Sequence, residues 1–147
     1  MIAKRNQTAI GTLVERTTGY AMLVALPDAY KPEHVAAALA TKIQALPEAL
    51  RRSLTWDQGP EMRNCKQVRI DAGIDVYFCD PHAPWQRASN ENTNGLLRQY
   101  FPKGTDLSVH SRAHLEAVAA ELNGRPRQTL GWMKPCEKFA ELVAMTA

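Results

Sequence analysis

The sequence predicts a layered α/β domain, and three observations lead to it. The run Tyr20-Ala21-Met22-Leu23-Val24-Ala25-Leu26 is apolar on both faces of a strand, which suits a strand covered by helices on both sides. Val35, Leu39, Ile43 and Leu46 then recur near helical spacing behind Pro32. Further along, strand-like runs alternate with helical periods, the pattern of a sheet with helices packed on it.

Taken in order, Thr8 to Arg16 and Tyr20 to Leu26 form a hairpin, with Gly19 of Thr17-Thr18-Gly19 supplying the unusual turn angles. A helix runs from about Pro32, a favoured first helical residue, to Ala45, and Pro47 starts a short extra turn. Ser53-Leu54-Thr55-Trp56-Asp57 is the next strand. A turn at Gln58-Gly59-Pro60 leads to a helix ending at Ala72, stopped by Gly73. Ile74, Val76 and Phe78 alternate on a further strand. Two prolines keep 80–88 out of regular structure, so that segment is a loop feeding a helix that Glu91 opens. Ser111 to Leu122 carries Leu115, Val118, Ala119 and Leu122 on one face and stops at Asn123-Gly124. Pro135 opens a last helix with Phe139, Leu142 and Val143 inward.

A chain of 147 residues, 45% hydrophobic and 22% charged, is the size of one domain with a substantial core. No apolar run approaches the ~18 residues that span a bilayer, and the first residues lack the apolar stretch of a signal peptide. The expected location is therefore the cytoplasm, with no membrane partner. Cys65, Cys79 and Cys136 show no CxxC spacing and are read as free thiols. A net charge of +3 is a weak vote for a nucleic-acid partner.

Two acids stand in informative settings. Asp57 ends an apolar strand, and Glu91 lies at the head of a helix in Ser89-Asn90-Glu91-Asn92. Hard divalent cations such as Mg²⁺ prefer oxygen ligands in near-octahedral geometry, so carboxylates converging from a strand end and a helix start suit one. Ligands of open α/β sheets gather beyond the carboxyl ends of strands, and the N–H groups of a helix start attract a first-turn carboxylate. Glu91 also shares a helix face with Asn94 or Gly95 and with Arg98. The competing readings are local: Ser89 or Asn90 as N-cap with Glu91 as a favourable first-turn charge, and Asp57 as the first residue of an Asp-x-Gly turn. Among 15 acidic residues, the 33 that separate this pair decide nothing by themselves. His110 and His114, four apart, have no recognisable further ligand, and Trp85 is read as packing over its proline loop or stacking on a base. Arg87, Arg98, Lys103, Arg125 and Arg127 are candidates for phosphate contacts.

Five segments together resemble a known family: Ala9 to Arg16, Leu54-Thr55-Trp56-Asp57-Gln58-Gly59, Pro84-Trp85-Gln86-Arg87, Asn90 to Leu107, and Arg125-Pro126-Arg127-Gln128-Thr129-Leu130-Gly131-Trp132. They are similar to the catalytic core of insertion-sequence-thirty-family DDE transposases, with the same gap between the second Asp and the Glu. The resemblance implies a ribonuclease-H-like fold akin to the retroviral integrase catalytic core, a mixed sheet flanked by helices. It implies DNA strand cleavage and strand transfer with two Mg²⁺ or Mn²⁺ ions. It makes Asp57 the second catalytic acid and metal ligand, Glu91 the third, and Arg98 the basic residue seven positions beyond. Arg87, Asn94 and Lys103 join Arg98 as expected contacts to DNA, the transposon ends and target.

The family's first catalytic Asp lies on a strand just before the segment matching Ile2-Ala3-Lys4. The expectation is therefore that residues 1–147 form an N-terminally truncated core without its first strand, and without the helix-turn-helix region that precedes the core in relatives. In a ribonuclease-H-like sheet of order 3-2-1-4-5, that strand sits between the hairpin and the Asp57 strand. A further departure is Lys134 before Pro135, where the family has Thr. Three functions follow: a transposase core that needs the missing Asp from a longer chain; a catalytically inactive truncated transposase that binds DNA non-specifically or modulates full-length transposase, alone or as a homo-oligomer; and a nuclease in which Glu15 replaces the first acid.

Overall fold

The computed structural model describes residues 9–26, 31–56, 65–80 and 88–146. Strands β1 (Ala9–Val14) and β2 (Ala21–Leu26) pair antiparallel from Ala9 opposite Leu26 to Val14 opposite Ala21. Gly19, at φ 66°, takes the left-handed angle of the turn. The Glu15 carboxylate closes that turn, accepting the N–H of Thr17 at 2.9 Å and of Thr18 at 2.7 Å, together with the Thr18 hydroxyl.

The hairpin is the middle of a sandwich because its side chains alternate between two cores. Ala9, Leu13, Val24 and Leu26 join Val35, Ala36, Leu39, Ala40 and Ile43 of α1 (Pro32–Gln44). On the opposite face Ile10 and Leu23 meet Leu97 of α3 (Ala88–Leu97) and Leu115, Val118 and Leu122 of α4 (Arg112–Asn123). The doubly apolar arm Tyr20 to Leu26 predicted this layering, though Ala25 is exposed.

After a 3-10 turn at Glu48–Leu50, β3 (Ser53–Trp56) pairs in parallel with β4 (Asp75–Phe78), and α2 (Cys65–Ala72) makes the crossover. Gly73, at φ 63°, stops α2 as expected. The alternation expected of β4 holds only in part: Ile74 just ahead of it is buried and Val76 half-buried, but Phe78 is exposed. Among the described residues the strands make two separate two-stranded sheets, β1-β2 and β3-β4, instead of one.

Ser111 caps α4 by accepting the His114 N–H at 3.1 Å. The last helix, α5 (Pro135–Thr146), lies against the hairpin through Phe139, whose ring stacks on Tyr20 with centroids 4.2 Å apart. Its Phe139, Leu142 and Val143 are only half-buried, less inward than the periodicity suggested. Neither Cys79 nor Cys136 is in a disulfide among the described residues. No helix among the described residues is long and apolar enough to cross a membrane.

Candidate functional site

The head of α3 is where the predicted site residues meet the fold. The helix begins at Ala88, three residues ahead of Glu91, because Ala88, Ser89 and Asn90 already have helical backbone. Ser89 and Asn90 are therefore inside the helix, and the reading of either as N-cap is corrected. Glu91 keeps its first-turn position, and its side chain is exposed. Asn94 and Arg98 follow on the same face, the first half-buried and the second exposed. Lys103, also exposed, lies in the elbow after the helix. Asp57 and Arg87 lie outside the described residues.

α3 is fixed to the hairpin by one polar link and an apolar anchor. The buried Thr12 hydroxyl of β1 donates to Asn94 Oδ1 at 2.9 Å, and Leu97, fully buried, packs with Ile10. Asn94, expected as a DNA contact, thus spends its amide oxygen inside the protein. Thr93 is buried beside it, with its hydroxyl unpartnered among the described residues.

Asp57 directly follows Trp56, the last residue of β3, and Glu91 directly follows Asn90. Trp56 and Asn90 both line one cavity of about 400 Å³ between β1 and β3. Trp56 Nε1 and Asn90 Oδ1 are each buried without a hydrogen-bond partner among the described residues. The residues that precede the two acids in sequence therefore line one groove, and Glu91 itself stands in the first turn of α3.

Glu15 lines the same cavity, but its carboxylate serves its own turn. Burial raises its affinity for a proton, but the Thr18 hydroxyl and the N–H groups of Thr17 and Thr18 outweigh that and hold its pKa below the usual value. Its oxygens are committed to the turn. His110 and His114 stack with centroids 5.1 Å apart and set their edges against Phe101, which reads as packing. Among the described residues no three His, Cys, Asp or Glu side chains gather to hold a metal ion.

Sequence reasoning missed the Arg127–Met133 loop. It is closed by Arg127 N–H to Met133 C=O at 3.1 Å and Trp132 N–H to Arg127 C=O at 3.0 Å. It presents Trp132 largely exposed at φ 67°. Arg127 folds back over the hairpin turn, where a Cβ on Gly19 would meet its Nη1 at 3.3 Å, and burial lowers its pKa. The cluster Arg125, Pro126, Arg127 in the sequence was the signal available, and it was read as part of the family resemblance and as a source of phosphate contacts, not as a closed loop.

The transposase for insertion sequence element IS1086 of Cupriavidus metallidurans is 52% identical over 139 residues, which cover 95% of this chain and 41% of that protein. Transposase InsI for insertion sequence element IS30A of Escherichia coli K12 is 44% identical over 146 residues, 99% of this chain and 38% of that protein. The transposase for insertion sequence element IS4351 of Bacteroides fragilis is 34% identical over 143 residues, 97% of this chain and 43% of that protein. The chain thus spans about two fifths of the length of these curated relatives. No family model matches it. Among solved structures, a chain in the cryo-EM structure of a simian T-cell lymphotropic virus intasome in complex with PP2A regulatory subunit B56 gamma superposes with a TM-score of 0.59 at 17% identity, covering 83% of this chain and 45% of that one. The α/β architecture is therefore integrase-like.

Proposed function

The chain belongs to the insertion-sequence-thirty family of transposases, and we propose that residues 1–147 form part of an integrase-like, ribonuclease-H-like catalytic core that cuts and joins DNA. In this reading Asp57 and Glu91 are the second and third acids of a DDE set. The first acid comes from the strand that in the family precedes the segment matching Ile2-Ala3-Lys4.

One observation carries the reading. Trp56 and Asn90, the residues that precede the two acids in sequence, line the same cavity, which supports reading it as the site. Asp57 and Glu91 would hold divalent ions, Mg²⁺ or Mn²⁺, which in such sites activate the attacking oxygen and stabilise the leaving one. The chain's own contribution is positional. Thr12 and Leu97 hold the Glu91 helix on β1. Arg98 and Lys103, exposed beyond Glu91, would bind DNA phosphates, as would Arg87; such contacts orient a duplex without reading its sequence.

The test is gain of activity by extension. The 147-residue chain is expected to be inert towards DNA with Mg²⁺ or Mn²⁺. The same chain preceded by the corresponding upstream segment of the Escherichia coli relative is expected to nick and join a transposon-end duplex. Asp57→Asn or Glu91→Gln should each abolish that activity while leaving the thermal midpoint within a few degrees. Cleavage that survives either substitution would sink the assignment.

A further inference from the structure

Trp132 sits where a tryptophan has no local reason to sit. Its φ of 67° lies in the left-handed region, directly after Gly131 at 61°, and a bulky side chain there is strained. The loop holds that strain in place. Arg127 C=O accepts the N–H of Leu130 and of Trp132, both at 3.0 Å, Gly131 N–H donates to Gln128 C=O at 3.0 Å, and Arg127 N–H donates to Met133 C=O at 3.1 Å. The indole that this closed loop presents is 69% exposed, so burial does not offset the strain.

The charge around the loop has one sign in excess. Residues 125–138 hold four cations, Arg125, Arg127, Lys134 and Lys138, against one acid, Glu137, a net +3 that equals that of the whole chain. Three of the four lean on exposed acids: Arg125 on Glu121 at 2.9 Å, Lys134 on Glu137 at 3.4 Å and Lys138 on Glu141 at 2.9 Å. Such pairs are worth little in water, which leaves the cations available to a polyanion. Arg127 differs. Burial alone lowers its pKa, with no neighbouring charge contributing, and its Nη2 is buried without a hydrogen-bond partner among the described residues. A desolvated guanidinium that lacks a counter-charge favours an anion nearby.

We infer that the Arg127–Met133 loop is a nucleic-acid contact of its own, at which Trp132 stacks on an unpaired base of DNA while the surrounding cations take the flanking phosphates. Stacking asks only for a flat face, which every base has, so the contact is indifferent to sequence. A base inside a duplex already has both faces covered by its neighbours, so the ligand is single-stranded or frayed DNA. An apolar protein partner would also cover the indole, but it makes no use of the excess positive charge beside it, whereas a polyanion does. None of residues 127–133 lines the cavity beside Trp56 and Asn90. The contact therefore holds or fails whether or not Asp57 and Glu91 bind metal.

The probes are a short oligothymidylate, an abasic deoxyribose-phosphate oligomer of the same length and a blunt duplex, each labelled and titrated with the whole 147-residue chain in EDTA, with binding read by anisotropy. The parent is expected to hold the oligothymidylate more tightly than the abasic oligomer. Trp132→Gly should weaken the oligothymidylate about tenfold, the usual order for the loss of one base–aromatic stack. It should leave the abasic oligomer, the duplex and the salt dependence unchanged, because no phosphate contact is lost. Glycine suits φ 67°, so an unchanged or raised thermal midpoint separates lost stacking from lost structure. Trp132→Phe keeps a ring and should retain most of the affinity, and Tyr77→Ala, which removes an exposed ring on β4, should change nothing. Equal affinity of the parent and Trp132→Gly for the oligothymidylate overturns the assignment. So does an equal loss on the abasic oligomer, an equal loss from Tyr77→Ala, or self-association of the chain that vanishes with Trp132, which would make the partner a second copy.

Discussion

Asn123 holds Ala21 by both of its backbone groups. The Ala21 N–H donates to Asn123 Oδ1, and Asn123 Nδ2 donates to the Ala21 C=O, each at 2.8 Å, with the Asn123 side chain buried. A single side-chain amide at the end of α4 thus stands in for a neighbouring strand on the outer edge of β2, where an open edge would invite pairing with another chain. The same contact fits the phase of the hairpin, because Ala21 turns its peptide groups outward only if Val14 opposite does so too.

Asn123→Ala is expected to strand the Ala21 donor and acceptor, costing about 1–3 kcal/mol for each group left unmet in the interior. Asn123→Asp keeps the acceptor but sets an oxygen against the Ala21 carbonyl, and should be as damaging at neutral pH. Urea unfolding of the two variants checks this. A loss below about 0.5 kcal/mol for Asn123→Ala would mean that water replaces the amide and that the edge is not sealed.

Thr12→Val keeps the shape of the β1 side chain and removes the hydroxyl that holds Asn94. Stability should fall by about 0.5–1.5 kcal/mol, the usual net worth of one such bond. If the catalytic reading is right, cleavage by the extended chain should fall further than stability does, since the Glu91 helix loses its polar link to the sheet. Equal activity per folded molecule would show that Leu97 alone positions α3.

Much of the fold was legible because its signals are local. Pro32 and the spacing of Val35, Leu39 and Ile43 marked α1 to within a residue of its end, and Gly19 and Gly73 stand at positive φ where turns were expected. What sequence could not give depends on distant partners. Asn123 before Gly124 reads as a helix stop, and only the packing of α4 on β2 reveals it as an edge cap. The start of α3 was placed too late because Ser89 and Asn90 are strong capping types, whereas the helix runs through them from Ala88. At the site, the shared face of Glu91, Asn94 and Arg98 follows from helical spacing alone. The commitment of Glu15 to its own turn, and the cavity shared by Trp56 and Asn90, required coordinates.

Trp132→Gly should stabilise the protein. A bulky residue at φ 67° costs about 1–2 kcal/mol in the left-handed region, and glycine returns about 0.5–1 kcal/mol of that through the greater freedom of its unfolded chain. The indole is mostly exposed, so little packing is lost, and a net gain of about 0.5–1 kcal/mol should appear as a higher thermal midpoint. A clear loss instead would show that Trp132 packs on something that its exposure does not reveal.

The hairpin turn should be sensitive to acid through Glu15. Burial pushes its pKa up, but the Thr18 hydroxyl and the N–H groups of Thr17 and Thr18 pull harder, so the folded value lies below the ordinary 4.5. A depressed carboxylate stabilises the fold fully above its unfolded pKa, and that contribution disappears as pH falls through the folded pKa. Glu15→Gln retains only one acceptor oxygen for three donors and should be less stable than the parent at pH 7. The stability difference between the two should hold steady down to about pH 5 and shrink below 4.5, while the depressed carboxylates shared by both proteins, such as Asp106 and Glu121, cancel in the comparison. Urea midpoints of the pair across that range make the measurement. A difference that persists unchanged into strong acid would mean that the ionised Glu15 is not what holds the turn.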